Sequence, residues 1–90
     1  MAQDYAKARE WYEKAADRGN ASAMLNLGWL YANGEGVAQD FAKAREWYEK
    51  AADKGDASAM DSLGSLYANG QGVAQDYAKA REWFKPAFTG

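Results

Sequence analysis

Ala2–Trp11 reads AQDYAKAREW, Ala38–Trp47 reads AQDFAKAREW, and Ala74–Trp83 reads AQDYAKAREW again. Successive copies start 36 residues apart. Residues 2–37 and 38–73 differ at only seven of 36 places: Tyr5/Phe41, Arg18/Lys54, Asn20/Asp56, Leu25/Asp61, Asn26/Ser62, Trp29/Ser65 and Glu35/Gln71. A fixed period of this length marks a repeat array. Each repeat is one supersecondary unit that cannot hide its apolar face alone, so neighbours stack to bury a continuous core.

Glycines divide each repeat in two. Gly19 and Gly55 follow a helical pattern with a cation in its last turn, where glycine can adopt the left-handed cap conformation. Asn20 and Asp56 come next and supply a side-chain oxygen to open the following helix. Gly34-Glu35-Gly36 and Gly70-Gln71-Gly72 form the second turn, and Asp4, Asp40 and Asp76 stand where the next helix begins. These marks predict five helices, over about 4–18, 21–33, 40–54, 57–69 and 76–85. No alternating pattern competes for a strand. Proline at 86 lacks an amide hydrogen and restrains Lys85, so the last helix is expected to end or kink there.

The apolar positions follow the helical period. Ala23, Met24, Leu27, Leu30 and Tyr31 make one stripe; Phe41, Ala44, Tyr48, Ala51 and Ala52 make another, with Trp47 beside it. Gly28 and Gly64 sit mid-helix, where glycine costs ~1 kcal/mol against alanine. A cost repeated in both copies predicts close approach by a neighbouring helix backbone. Glu10–Lys14 and Glu46–Lys50 read as solvated i,i+4 pairs. The reading is a single repeat domain over 1–90, with a half repeat at 1–20, a full repeat at 21–56, and 57–90 truncated after Pro86. The first and last helices then lack one neighbour each. Both ends should expose apolar surface; Phe84, Phe88 and the proline break at the C-terminus partly cover one end, and self-association into a homo-oligomer through the uncapped terminal helices would cover the rest.

Composition removes several function classes. Eleven basic against 13 acidic residues leave a net charge of −2, which supports neither nucleic-acid binding nor attachment to an anionic membrane. The chain has no cysteine and no histidine. Disulfides, thiolate metal sites, a cysteine nucleophile and the commonest general base are therefore excluded. No run of about 18 apolar residues is present to span a membrane, and no signal peptide is visible in the first residues. Cytosol and periplasm are both compatible.

The string Ala23-(x)3-Leu27-Gly28-(x)2-Tyr31-(x)2-Gly34-x-Gly36-Val37-(x)2-Asp40-(x)2-Lys43-Ala44-(x)2-Trp47-Tyr48-x-Lys50-Ala51-Ala52-(x)2-Gly55 resembles the Sel-one-like repeat, a relative of the tetratricopeptide repeat. The match covers nearly the whole chain, and the 36-residue period separates it from the 34 of the tetratricopeptide repeat. The resemblance implies an all-α fold, an α/α right-handed superhelix. It also implies non-enzymatic work as an adaptor or scaffold that binds a protein or peptide. Some bacterial members carry a cysteine pair in every repeat and have been linked to penicillin-like compounds. This chain has no cysteine, so that activity is not carried over.

The positions that vary between copies nominate a site. Leu25, Asn26 and Trp29 correspond to Asp61, Ser62 and Ser65 in the next copy, off the apolar stripe of the first helix of each repeat. By resemblance to tetratricopeptide-like folds that helix lines the concave groove. One reading is a ligand-facing strip of Leu25, Asn26, Trp29, Asn33, Asp61, Ser62, Ser65 and Asn69, extended by Ser22 and Ser58. The plainer reading is drift on a solvated face. Trp29 is singular, because Trp11, Trp47 and Trp83 are repeat-equivalent and read as structural, whereas serine replaces Trp29 in the next copy. It is either an interaction hot spot or a cover for the first helix. No catalytic, cofactor-binding or metal site is expected: the serines have no histidine to activate them, no calcium-loop spacing occurs, and Gly34-x-Gly36 is too short for a phosphate loop. An alternative is a structural or engineered repeat unit that assembles through its ends with no natural ligand. Near-identical copies, a start in mid-repeat and the KPAFTG tail fit that reading, and they also fit recent duplication.

Overall fold

Local signals place the helix ends, and a computed structural model describes residues 4–89. Five helices follow one another: α1 (Tyr5–Asp17), α2 (Ala21–Asn33), α3 (Phe41–Asp53), α4 (Ala57–Asn69) and α5 (Tyr77–Thr89). Among the described residues there is no strand, and no helix is long and apolar enough to cross a membrane. Asp4, Asp40 and Asp76 each accept a hydrogen bond from the amide three residues on, at 3.0 Å. Asn20 and Asp56 do the same for the amides of Ala23 and Ala59, at 2.8 and 2.9 Å. Each such cap stabilises its helix by about 1 kcal/mol. At the other end of α1 the Gly19 amide donates to the Ala16 carbonyl at 2.8 Å and the Asn20 amide to Ala15 at 3.1 Å, a Schellman closure repeated at Gly55 and Asp56.

Each helix packs against its neighbours in chain order, with the α2–α3 and α4–α5 pairs in more extensive contact than α1–α2 and α3–α4. The result is an α/α solenoid, 39 × 24 × 23 Å. Its core runs through the middle of the stack, where Leu27, Leu30 and Leu63 are the largest fully buried side chains. Burying each contributes ~1.5–3 kcal/mol. Alanines 44, 51, 52 and 59 fill the gaps between them and let the helices approach.

Two glycine positions hold the stack together. A Cβ on Gly28 would lie 2.5 Å from two ring carbons of Tyr48, and the ring of Phe84 takes the same place against Gly64. The mid-helix glycines thus accommodate an aromatic ring of the next helix, where the sequence had suggested a neighbouring backbone. A Cβ on Gly36 would lie 2.6–2.7 Å from backbone atoms of Tyr5 and Ala6, so the α2–α3 loop crosses the start of α1. Gly72 repeats the contact against Phe41. These crossings join one repeat to the next.

Three expectations change. First, α5 runs on through Pro86 to Thr89 and does not stop at Lys85. Proline forfeits one amide bond and crowds the preceding turn, a local cost of ~3 kcal/mol, while the residues after it can still donate backward. The Phe88 side chain lies outside the described residues. Second, the i,i+4 ion pairs are Arg9–Glu13 at 3.4 Å and Arg45–Glu49 at 3.3 Å. Lys14 and Lys50 sit instead over the rings of Trp11 and Trp47, 4.9 and 4.6 Å from the ring centres. A lysine three residues on from a tryptophan lies on the same helix face, where its stem covers the ring and its charge meets the π-cloud. Third, the repeat-equivalent tryptophans are not equally structural: Trp47 and Trp83 pack on the core, but Trp11 is 66% exposed.

Candidate functional site

Two repeat-equivalent clefts open where one repeat meets the next. The first, about 310 Å³, lies between α1 and α2. Asp4, Tyr5, Ala8 and Tyr12 form one wall, and Asn26, Trp29 and Leu30 the other. Their spacings of three and four place each set on a single helix face. The second, about 410 Å³, lies between α3 and α4. Phe41 and Tyr48 replace Tyr5 and Tyr12; Ser62, Ser65 and Leu66 replace Asn26, Trp29 and Leu30. Asn33, Gln39 and Gln71 extend its rim. Gln39 is held there by donating from Nε2 to the Ala32 carbonyl at 2.8 Å.

The clefts differ in chemistry. In the first, the Trp29 and Tyr5 rings stand 6.1 Å apart at 42°, a tilted aromatic pair. Trp29 remains 46% exposed, so it covers part of α1 and still presents ring surface. In the second, serine at 65 leaves the corresponding space open. Tyr48 is buried there and shares a side-chain hydrogen bond with Ser62. Burial pushes the Tyr48 hydroxyl above its ordinary value of 10.0, and the bond to Ser62 partly offsets this. Among the described residues no group of three His, Cys, Asp or Glu comes together as metal ligands would.

Of the residues nominated from sequence, Asn26 and Trp29 enter the first cleft, while Asn33, Ser62 and Ser65 enter the second. Asn33 also donates from Nδ2 to the Trp29 carbonyl at 2.9 Å. Leu25 was expected on the open strip but is half-buried and packs on the core. It neighbours the Ala23–Met24 stripe, and covering its methyl groups there is favourable. Asp61 and Asn69 are exposed and line neither cleft, as are Ser22 and Ser58. Sequence reasoning missed the opposite walls: Asp4, Tyr5, Ala8 and Tyr12, and their counterparts Phe41 and Tyr48. It assigns Asp4 to capping and Phe41 and Tyr48 to packing, and gives Tyr5, Ala8 and Tyr12 no role. One signal was available, because Tyr5/Phe41 is among the seven differences between copies.

Comparison with known proteins agrees with this architecture. The Sel1 repeat family model matches residues 1–20, 21–56 and 57–89. A Sel1 repeat protein from Oxalobacter formigenes is 36% identical, with a TM-score of 0.89 over 97% of this chain and 36% of its own. A protective antigen of uropathogenic Escherichia coli strains with an SLR fold is 46% identical, with a TM-score of 0.92 over 94% of this chain and 18% of its own. Helicobacter pylori cysteine rich protein B is 29% identical, with a TM-score of 0.83 over 88% of this chain and 59% of its own. The chain therefore spans less than two thirds of each of these structures. No curated protein sequence matches it.

Proposed function

We propose that this chain, which belongs to the Sel1 repeat family, is a non-enzymatic scaffold that holds a peptide or protein segment along its two clefts, on the concave helix face. One observation carries the reading: the copies diverge in the clefts. The pairs Tyr5/Phe41, Asn26/Ser62 and Trp29/Ser65 all line them, whereas every residue of the Ala23–Tyr31 stripe repeats unchanged at Ala59–Tyr67. Packing fixes the stripe, and divergence at equivalent concave positions gives successive repeats different pockets along one bound segment.

The test is a random-peptide selection against the chain, followed by binding to two variants. Trp29→Ala removes the exposed ring of the first cleft, and Ser65→Trp fills the second. Selected peptides should lose at least about tenfold in affinity with one or both variants, the scale of a hot-spot residue, at unchanged melting temperature. Peptides that bind both variants as well as the parent chain would sink the cleft assignment. A second reading, association between copies, is favoured by Trp11 and Tyr77, large side chains 66% and 65% exposed. Sedimentation over a concentration series checks it, and a monomer at every concentration refutes it.

A further inference from the structure

We infer that the first cleft is a receptor for a cationic side chain, and that it takes an arginine of the bound segment. The inference rests on the scaffold reading and names the chemistry of one pocket within it. Three aromatic rings, Tyr5, Tyr12 and Trp29, line one cleft with one carboxylate, Asp4. Aromatic faces carry negative charge density and attract a cation within about 6 Å of the ring centre. A carboxylate at the rim supplies the counter-charge. Together they complement a positive group, and the lining holds no cationic side chain to complement a negative one.

Two objections are met by the structure. The start of α1 carries a partial positive charge of roughly +0.5, which opposes a cation, but the full negative charge of Asp4 outweighs it. Asp4 also caps α1, but only Oδ1 accepts the Lys7 amide, at 3.0 Å. An ionised carboxylate has two oxygens and about four acceptor positions, so capping and ligand binding are compatible.

The rest of the chain supplies a contrast. Trp11, Trp47 and Tyr31 each have a cation of the chain itself over the ring: Lys14 at 4.9 Å, Lys50 at 4.6 Å and Lys43 at 5.9 Å. Among the described residues no lysine or arginine occupies the equivalent place over Tyr5, Tyr12 or Trp29. The rings of the second cleft, Phe41 and Tyr48, carry no such cation either, so what sets the first cleft apart is that its uncovered rings stand beside a carboxylate. The second cleft has no carboxylate in its lining and offers serine and glutamine instead. It suits a neutral hydrogen-bonding group and serves as the internal control. Arginine fits the first cleft better than lysine, because its planar guanidinium stacks on an indole face while its fork of donors engages a carboxylate.

The experiment uses the full chain labelled with nitrogen-15. Two probes are titrated: the blocked tripeptide glycyl-arginyl-glycine amide, and the same peptide with neutral, isosteric citrulline. The arginine peptide should shift the Trp29 indole and Tyr5 signals saturably, bind at least about fivefold more tightly than the citrulline peptide, and leave the Ser62 and Ser65 signals in place. Asp4→Asn keeps a good helix cap and removes the charge. It should weaken the arginine peptide by about fivefold and leave the citrulline peptide unaffected. Trp29→Ser installs the residue that the second copy already carries at 65, so the fold survives, and it should abolish the preference for arginine. Equal binding of the two peptides at Trp29 overturns the cation assignment while supporting the cleft as a peptide site. Arginine binding indifferent to Asp4→Asn overturns it as well, as do shifts confined to the second cleft or an absence of shifts in both. The scaffold reading falls separately, by the longer selected peptides.

Discussion

Replacing Gly28 by alanine sets two magnitudes of opposite sign against each other. Alanine is the better helix former by about 1 kcal/mol, so an uncrowded position would gain that much. Here the new methyl would lie 2.5 Å from two ring carbons of Tyr48, where carbon atoms pack at about 3.5–4.0 Å. The ring must move by roughly 1 Å. Tyr48 is 5% exposed and shares a hydrogen bond with Ser62 of α4, so the shift disturbs α3 and α4 together. Overpacking of this kind costs ~1–3 kcal/mol, and loss of the Ser62 bond adds about 1. The net expectation is a destabilisation of about 2 kcal/mol, or roughly 10 °C in melting temperature for a chain this size. Urea denaturation of four proteins settles it: the parent, Gly28→Ala, Tyr48→Ala and the double variant, in an osmolyte that keeps all four folded. With the ring gone, Gly28→Ala should become neutral or stabilising by up to ~1 kcal/mol. If Gly28→Ala stabilises the parent, or costs the same in both backgrounds, the ring is not the reason for the glycine.

Leu25→Ala should destabilise by about 1–2 kcal/mol, below the usual range for a fully buried leucine, because the side chain packs on the core but is only half-buried; a melt unchanged within error contradicts that placement. Asn20→Ala and Asp56→Ala should each cost about 1 kcal/mol by loss of a cap, and Asn20→Asp, which the second copy already carries, should cost little, as thermal melts of all three would show. Burial raises the Tyr48 hydroxyl above its ordinary value of 10.0, so the native state holds that proton more tightly than the unfolded chain. Stability from this source is therefore full below about pH 10 and is lost as pH rises through the folded value. Tyr48→Phe should flatten the fall in urea midpoint above pH 10 relative to the parent, while costing about 1 kcal/mol at neutral pH through the lost Ser62 bond; parallel pH profiles for the two proteins would refute it.

The seven differences between copies show both what variation can reveal and where it misleads. Trp29/Ser65 and Asn26/Ser62 led to cleft walls. Leu25/Asp61 did not: a half-buried leucine and an exposed aspartate occupy the same repeat position. Whether a varying residue turns toward the core or a cleft depends on its neighbours in space, which spacing along one helix does not give.

By itself the sequence determined the five helices, their caps and the repeat. The reason is that these features are local: Asp40 bonds the amide three residues away, and Gly19 closes α1 within a single turn. The resemblance carried by the glycines and aromatics added the stacking of those helices into a solenoid. Tertiary structure decided the rest. The walls of the first cleft meet across the 24 residues from Tyr5 to Trp29. The ring against Gly28 comes from the next helix. Both lysines above tryptophan made a choice among partners that spacing leaves open. A cleft exists only where two helices meet, so its second wall stayed hidden: Asp4, Phe41 and Tyr48 read as holding the fold together, and Tyr5, Ala8 and Tyr12 had no role until α2 was seen beside them.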